Sequence, residues 1–136
     1  MLGEKIGTDQ GKVTGRRILP GDDYRYVKME ITFEAQGTLY GVPVMNMGTY
    51  TIYERVPGQL YGEGQGILTT SDGEGAIWKG HGVGHADQSM NMSFAFSLAV
   101  QAGEGKLSKL NGVLVIGEHN VDAEGNAKST TYEWKA

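Results

Sequence analysis

The chain has 136 residues, a formal net charge of −4, 22 glycines, three prolines and no cysteine. This length supports one hydrophobic core and is short for two, so one domain spanning the chain is expected. The lack of cysteine excludes disulfides, thiolate metal sites and a cysteine nucleophile, while the acidic balance, with Arg16-Arg17 the only adjacent arginine pair, argues against the cationic footprint that a nucleic-acid partner requires.

In chain order, the opening Met1-Leu2-Gly3-Glu4-Lys5 lacks the apolar core of a signal peptide. No later window approaches the roughly 18 consecutive apolar residues of a spanning helix. A cytoplasmic protein with no membrane partner is expected. The first strand is placed near residues 5–18 and stops at the turn Pro20-Gly21-Asp22-Asp23. The second, near 24–40, carries the clearest alternation: Val27, Met29, Ile31, Phe33 and Ala35 interleave with Lys28, Glu30, Thr32 and Glu34, the signature of one dry and one wet face. Strands follow near 43–56 and 59–70, separated by Pro57-Gly58. Another is placed near 76–86, after Ser71-Asp72-Gly73-Glu74-Gly75. The strand near 89–101 alternates as regularly, with Met90, Met92, Phe94, Phe96, Leu98 and Val100 on one face. Ala102-Gly103-Glu104-Gly105 turns the chain, residues 105–111 can form a turn or short helical piece, and Asn111-Gly112 can be a hairpin turn or a strand start. The last strands, near 112–121 and 127–135, flank Asp122-Ala123-Glu124-Gly125-Asn126. Each turn supplies the left-handed or fixed-φ residues that reversals need.

Long strands joined by tight turns favour an antiparallel up-and-down meander. Closure into a barrel removes its unpaired edges, and about eight strands can close around packed side chains or one ligand. The expected fold is therefore an all-β antiparallel barrel, with a two-sheet sandwich as the alternative. The many glycines are structural in this reading, marking bends, bulges and close approaches of the backbone.

The most unusual feature is a pair of glycine rows, Gly62, Gly64 and Gly66 on one strand and Gly80, Gly82 and Gly84 on the next. Each row occupies one face of its strand. An odd-length loop, with Ser71 opposite Gly75 and Gly64 opposite Gly82, puts both rows on a shared face and Tyr61, Glu63, Gln65, Lys79, His81 and His85 on the other. An even loop breaks this match. A phosphate-binding loop is rejected, because no lysine follows the glycines and no helix begins after them. A metal site on this strand is disfavoured, since His81 and His85 stand roughly 13 Å apart at about 3.3 Å per residue, too far to chelate one ion readily; either could pair with His119 or a carboxylate across strands, but ordinary polar histidines are the favoured reading.

Histidine titrates near neutrality, so His81, His85 and His119 are candidate general bases. Glu63 and Glu118 are the matching mid-strand carboxylates, whose pKa would rise if they point inward. The candidate catalytic set is Glu63, His81, His85 and Glu118. The candidate ligand-binding set is Tyr61, Glu63, His81, His85 and Phe94. The seven tyrosines with Trp78 and Trp134 suit a cavity for an apolar ligand with a hydrogen-bonding group. Met29, Met45, Met47, Met90 and Met92 are assigned to packed apolar faces. No cofactor or metal is expected.

The run from Tyr61 to Trp78 (Tyr-Gly-Glu-Gly-Gln-Gly-Ile-Leu-Thr-Thr-Ser-Asp-Gly-Glu-Gly-Ala-Ile-Trp), with Gly112-Val-Leu-Val-Ile-Gly117 and the closing hairpin, resembles small bacterial proteins with the allene oxide cyclase-like, dirigent-like barrel. The likeness covers about the last eighty residues and rests on structural glycines and turns. It implies an eight-stranded container for a small apolar molecule and a homo-oligomer. In the related plant enzymes the barrel directs ring closure or coupling largely by shape, and some bacterial relatives are polyketide cyclases. No catalytic residue of those enzymes maps onto a position here. Three uses follow: binding of an apolar ligand, cyclisation or isomerisation in the cavity, and a non-catalytic oligomeric module.

Overall fold

A computed structural model describes residues 2–21 and 28–135. Its strands are β1 (Lys5–Leu19), β2 (Lys28–Leu39), β3 (Val42–Val56), β4 (Gln59–Thr70), β5 (Gly75–Ala86), β6 (Met92–Ala102), β7 (Val113–Val121) and β8 (Asn126–Lys135). Each pairs antiparallel with its neighbours in sequence, and β1 pairs with β8, so the sheet closes as an eight-stranded up-and-down barrel. Closure leaves no strand edge to template association. The expected strand start at 24–27 and the turn residues Asp22 and Asp23 lie outside the described residues. A short 3-10 helix, Ser108–Gly112, interrupts the strands between β6 and β7. No helix is long and apolar enough to cross a membrane among the described residues.

The apolar alternation sets the inner wall. Ile31, Phe33 and Ala35 of β2 and Met92 and Phe94 of β6 are buried, with Phe96, Leu98 and Val100 partly so. Two packed clusters fill much of the interior. One joins Phe33, Leu68, Trp78 and Val115 to Leu107 and Leu110, which cap that end of the lumen from the 3-10 segment. The other joins Ile31, Ile52, Met92, Phe94, Val121 and Ala127.

The loop between β4 and β5 is odd, running from Thr70 to Glu74 between the paired Thr69 and Gly75. Both glycine rows therefore face inward, but the register differs by two residues from the one expected: Gly64 pairs with Gly80 and Gly62 with Gly82. Thr70 holds the turn at this register. Its amide donates to the Glu74 carbonyl at 2.9 Å and its hydroxyl accepts the Glu74 amide at 3.1 Å, so pairing ends earlier and the turn holds itself.

Glycine inside the barrel makes room for rings. A Cβ on Gly66 would lie 2.3 Å from Trp78, and one on Gly48 2.5 Å from the same indole. Trp78 consequently lies flat across bare backbone of β3 and β4, a use of glycine that alternation alone does not specify.

Met92 and Met29 pack in the core as expected, but three methionines depart from expectation. Met45 and Met47 stand on the outer wall, 38% and 48% exposed, and Met90 is 62% exposed. Met90 is in a turn because Asp87 captures the chain: its carboxylate accepts the amides of Ser89 and Asn91, both at 2.9 Å. The sixth strand accordingly starts at Met92 rather than at 89. On the outer wall, Met47 pairs with Ile67 and Ile67 with Ile77, an exposed apolar row across β3, β4 and β5.

Candidate functional site

The inward glycines decide where the sequence-selected residues fall. With Gly62, Gly64, Gly80, Gly82 and Gly84 facing the lumen, the side chains between them face out, and Glu63, His81 and His85 are exposed, as is Glu118 of β7. Glu63 pairs with His81 across the strands. Both border the lumen, through the backbone that their glycine neighbours leave bare. Tyr61 is half-buried on the same outer wall, its ring centre 6.2 Å from that of His81 and 5.4 Å from that of Tyr53, with the Arg55 guanidinium 3.8 Å above it. These residues form an outer aromatic and polar patch. Phe94 points inward and is 8% exposed.

The lumen holds a different polar group. His119 of β7 is 8% exposed. Its Nε2 lies 3.2 Å from the Tyr50 hydroxyl, and its Nδ1 lies 2.8 Å from Ser129 Oγ. Ser129 pairs across β8 and β1 with Asp9, which brings its polar groups close enough to oppose the rise in the Asp9 pKa. Asn46 of β3 completes the belt. Its Oδ1 accepts the Trp78 Nε1 proton at 2.8 Å, which fixes the amide orientation, and its Nδ2 then faces Asp9 at 3.5 Å.

Burial governs the charge states. It pushes the Asp9 carboxyl above its usual range, partly opposed by the donors on Asn46 and Ser129. It lowers His119 to about 4, so the ring is neutral at pH 7. It raises the Tyr50 hydroxyl, against a weaker opposing pull from Arg16, so the phenol keeps its proton.

With Asp9 ionised the hydrogen-bond directions follow. A carboxylate only accepts, so a Ser129 hydroxyl directed at Asp9 leaves its oxygen to accept Nδ1–H from His119. A neutral ring has one donor, so Nε2 accepts the proton of Tyr50. The lumen is thereby left with acceptors, namely Asp9 and the free lone pair of Tyr50. Its spare donor in this belt is the second Nδ2 proton of Asn46.

Around this belt runs an aromatic wall. Phe33 lies 6.4 Å from Trp78, 5.9 Å from Tyr50 and 5.4 Å from His119 between ring centres, and Phe94 is 6.0 Å from Tyr50. Between wall and belt is a cavity of about 110 Å³, bordered by Asp9, Asn46, Tyr50, Trp78, His119 and Ser129 among others. Among the described residues no three histidine or acidic side chains converge to hold a metal ion.

Fold and site together define a closed eight-stranded up-and-down β-barrel with a small, partly polar lumen. Similar barrels are known. A protein of unknown function from Clostridium acetobutylicum ATCC 824 superposes with a TM-score of 0.79 at 12% identity, over 96% of each chain. A conserved protein of unknown function from Rhodopseudomonas palustris gives 0.79 at 14% identity, over 98% of this chain and 97% of the other. These likenesses carry the fold. Neither a protein-family sequence profile nor a curated protein sequence matches the chain.

Proposed function

We propose that the barrel binds a compact, mostly apolar small molecule in its lumen, with the apolar body on Trp78, Phe33 and Phe94 and one polar group at the Asp9, Asn46 and Tyr50 belt. The observation that carries this reading is the cavity of about 110 Å³ left between an aromatic wall and a partly buried polar belt. An apolar cavity of about 150 Å³ accepts one benzene ring, so the ligand has few heavy atoms. The resemblance to allene oxide cyclase-like and dirigent-like barrels supports the same use. Native mass spectrometry of protein purified from cells is expected to show a small adduct. Val100→Phe, which fills the lumen, is expected to remove it. A wild-type protein without adduct, or an adduct that survives filling, would falsify the reading.

A second reading, cyclisation or isomerisation of the bound molecule, is favoured by the hydrogen bond between Tyr50 and His119 at the cavity. Glu63, His81, His85 and Glu118 stand on the outer wall, so proton movement in this reading passes to Tyr50 and His119. Deuterium uptake by the extracted ligand is expected with wild type and lost in Tyr50→Phe and His119→Gln. Undiminished uptake in both variants removes it. The outer row of Met47, Ile67 and Ile77 supports self-association of the kind the resemblance implies. Gel filtration from dilute to concentrated samples checks this, and a monomer throughout argues against it.

A further inference from the structure

We propose that the lumen is selective for a small ammonium compound, a compact primary or methylated amine whose cationic head pairs with Asp9 while its carbon body lies on the aromatic wall. The proposal rests on the reading of the lumen as a ligand site and names the ligand's class. Asp9 borders the cavity, and among the described residues no lysine or arginine borders it. A carboxylate partly withdrawn from water, as Asp9 is, is costly unless a charge or several hydrogen bonds compensate it. The compensation is thin: Asn46 Nδ2 at 3.5 Å, a long contact, and the nearby polar groups of Ser129. A carboxylate offers about four acceptor sites, so room for further donors is left on the side facing the cavity.

The rest of the lining agrees. The hydrogen-bond directions through Ser129 and His119 leave Tyr50 as a second acceptor, so an ammonium group meets two acceptors at the belt. A carboxylate ligand meets Asp9 with no lysine or arginine among the described residues bordering the cavity to offset it, and a neutral carbonyl finds the spare proton of Asn46. The wall adds to the preference, because the faces of Trp, Tyr and Phe attract cations, most strongly when the cation is desolvated. Phe33, Trp78 and Tyr50 form a continuous aromatic surface beside the belt. A charge-assisted hydrogen bond to the carboxylate also exceeds a neutral one roughly twofold in strength.

The test uses three probes of one shape: isobutylamine, isobutanol and isobutyrate, titrated into the full chain at pH 7.5 by calorimetry. Isobutylamine is expected to bind at least about tenfold more tightly than isobutanol, a gap of about 1.4 kcal/mol, and isobutyrate not at all. Asp9→Asn is expected to bring the amine down to the level of the alcohol without weakening the alcohol. Should that variant fail to fold, wild type serves. Acidification through the ionisation of Asp9 is then expected to weaken the amine and leave the alcohol unchanged; among the described residues the other titratable groups at the cavity are Tyr50 and His119, both uncharged at neutral pH, and Glu63 and His81, whose side chains stand on the outer wall, while the Arg16 guanidinium pulls on Tyr50 from β1. Equal affinity for amine and alcohol, or an amine indifferent to Asp9→Asn and to pH, overturns the ammonium assignment and leaves the lumen a ligand site. Failure of all three probes to bind overturns the ammonium assignment. An adduct in native mass spectrometry decides separately whether the ligand site itself stands.

Discussion

Asp9 shows how a single side chain can work against the fold that holds it. Burial raises its pKa, so the folded state binds this proton more tightly than the unfolded chain does. The contribution is fully present below the ordinary carboxylate pKa and is lost as pH rises through the raised one. Asp9→Asn is therefore expected to melt at a higher temperature than wild type at pH 7.5, with the gap closing toward pH 4. A lower melting temperature for the variant at pH 7.5 would show that the donors of Asn46 and Ser129 outweigh burial. The two residues at the ends of the belt differ in how visible they are from sequence. His119 shares the parity of Val115 and Val121, both buried, so its inward direction was legible. Asp9 shares parity with Gly7, Gly11 and Val13, and the β1–β8 register shifts between Lys5 and Gly7. An inner face built largely of glycine gives no apolar signal. The same blindness hid Asn46, whose outward neighbours are the exposed Met45 and Met47.

At the scale of elements, two hairpins turn by one device. Asp87 and Asp122 each accept the amides two and four residues on, and each carboxylate also takes the side-chain amide of the asparagine four residues on, Asn91 at 3.1 Å and Asn126 at 2.9 Å. The fourth position of both turns is left-handed, with φ of 68° at Met90 and 85° at Gly125. Methionine has a Cβ that this conformation crowds, and glycine has none. Met90→Gly is expected to stabilise the protein by about 0.5–1 kcal/mol, less than the full steric relief because glycine also loosens the unfolded chain. Gly125→Ala is expected to lose about 1 kcal/mol. Urea titration of both variants checks the pair, and a destabilised Met90→Gly would mean that the exposed methionine makes a contact worth more than the strain. This pair also explains an error of reading. With glycine in place the second turn was evident, while at the first an apolar methionine continued the rhythm of Met92, Phe94 and Phe96 and extended the strand by three residues. Strand number and closure, by contrast, were legible because eight alternating segments and their turns recur along the whole chain.

For the whole molecule, closure makes every inward group part of one interior, so acid sensitivity concentrates where that interior is polar. His119 has its pKa lowered from 6.5 to about 4 by burial. The unfolded chain binds this proton more readily, so the stabilisation is present above pH 6.5 and is lost as pH falls toward 4. At about 1.4 kcal/mol per pH unit the loss reaches about 3 kcal/mol, a large share of the roughly 5–15 kcal/mol that holds a domain together. Asp9 acts in the opposite sense, gaining as it protonates, and would mask part of this slope in the wild type. Asp72, Asp87, Asp122 and Glu133 all have lowered pKa values, Asp72 about 2, so their losses begin mainly below this window. Urea unfolding of Asp9→Asn between pH 7.5 and 4.5 thus isolates the histidine and is expected to show stability falling steadily below pH 6.5. Adding His119→Gln should flatten that dependence. If the slope persists in the double variant, acid sensitivity comes from outside the lumen, and the polar belt is not the pH-sensitive element of the barrel.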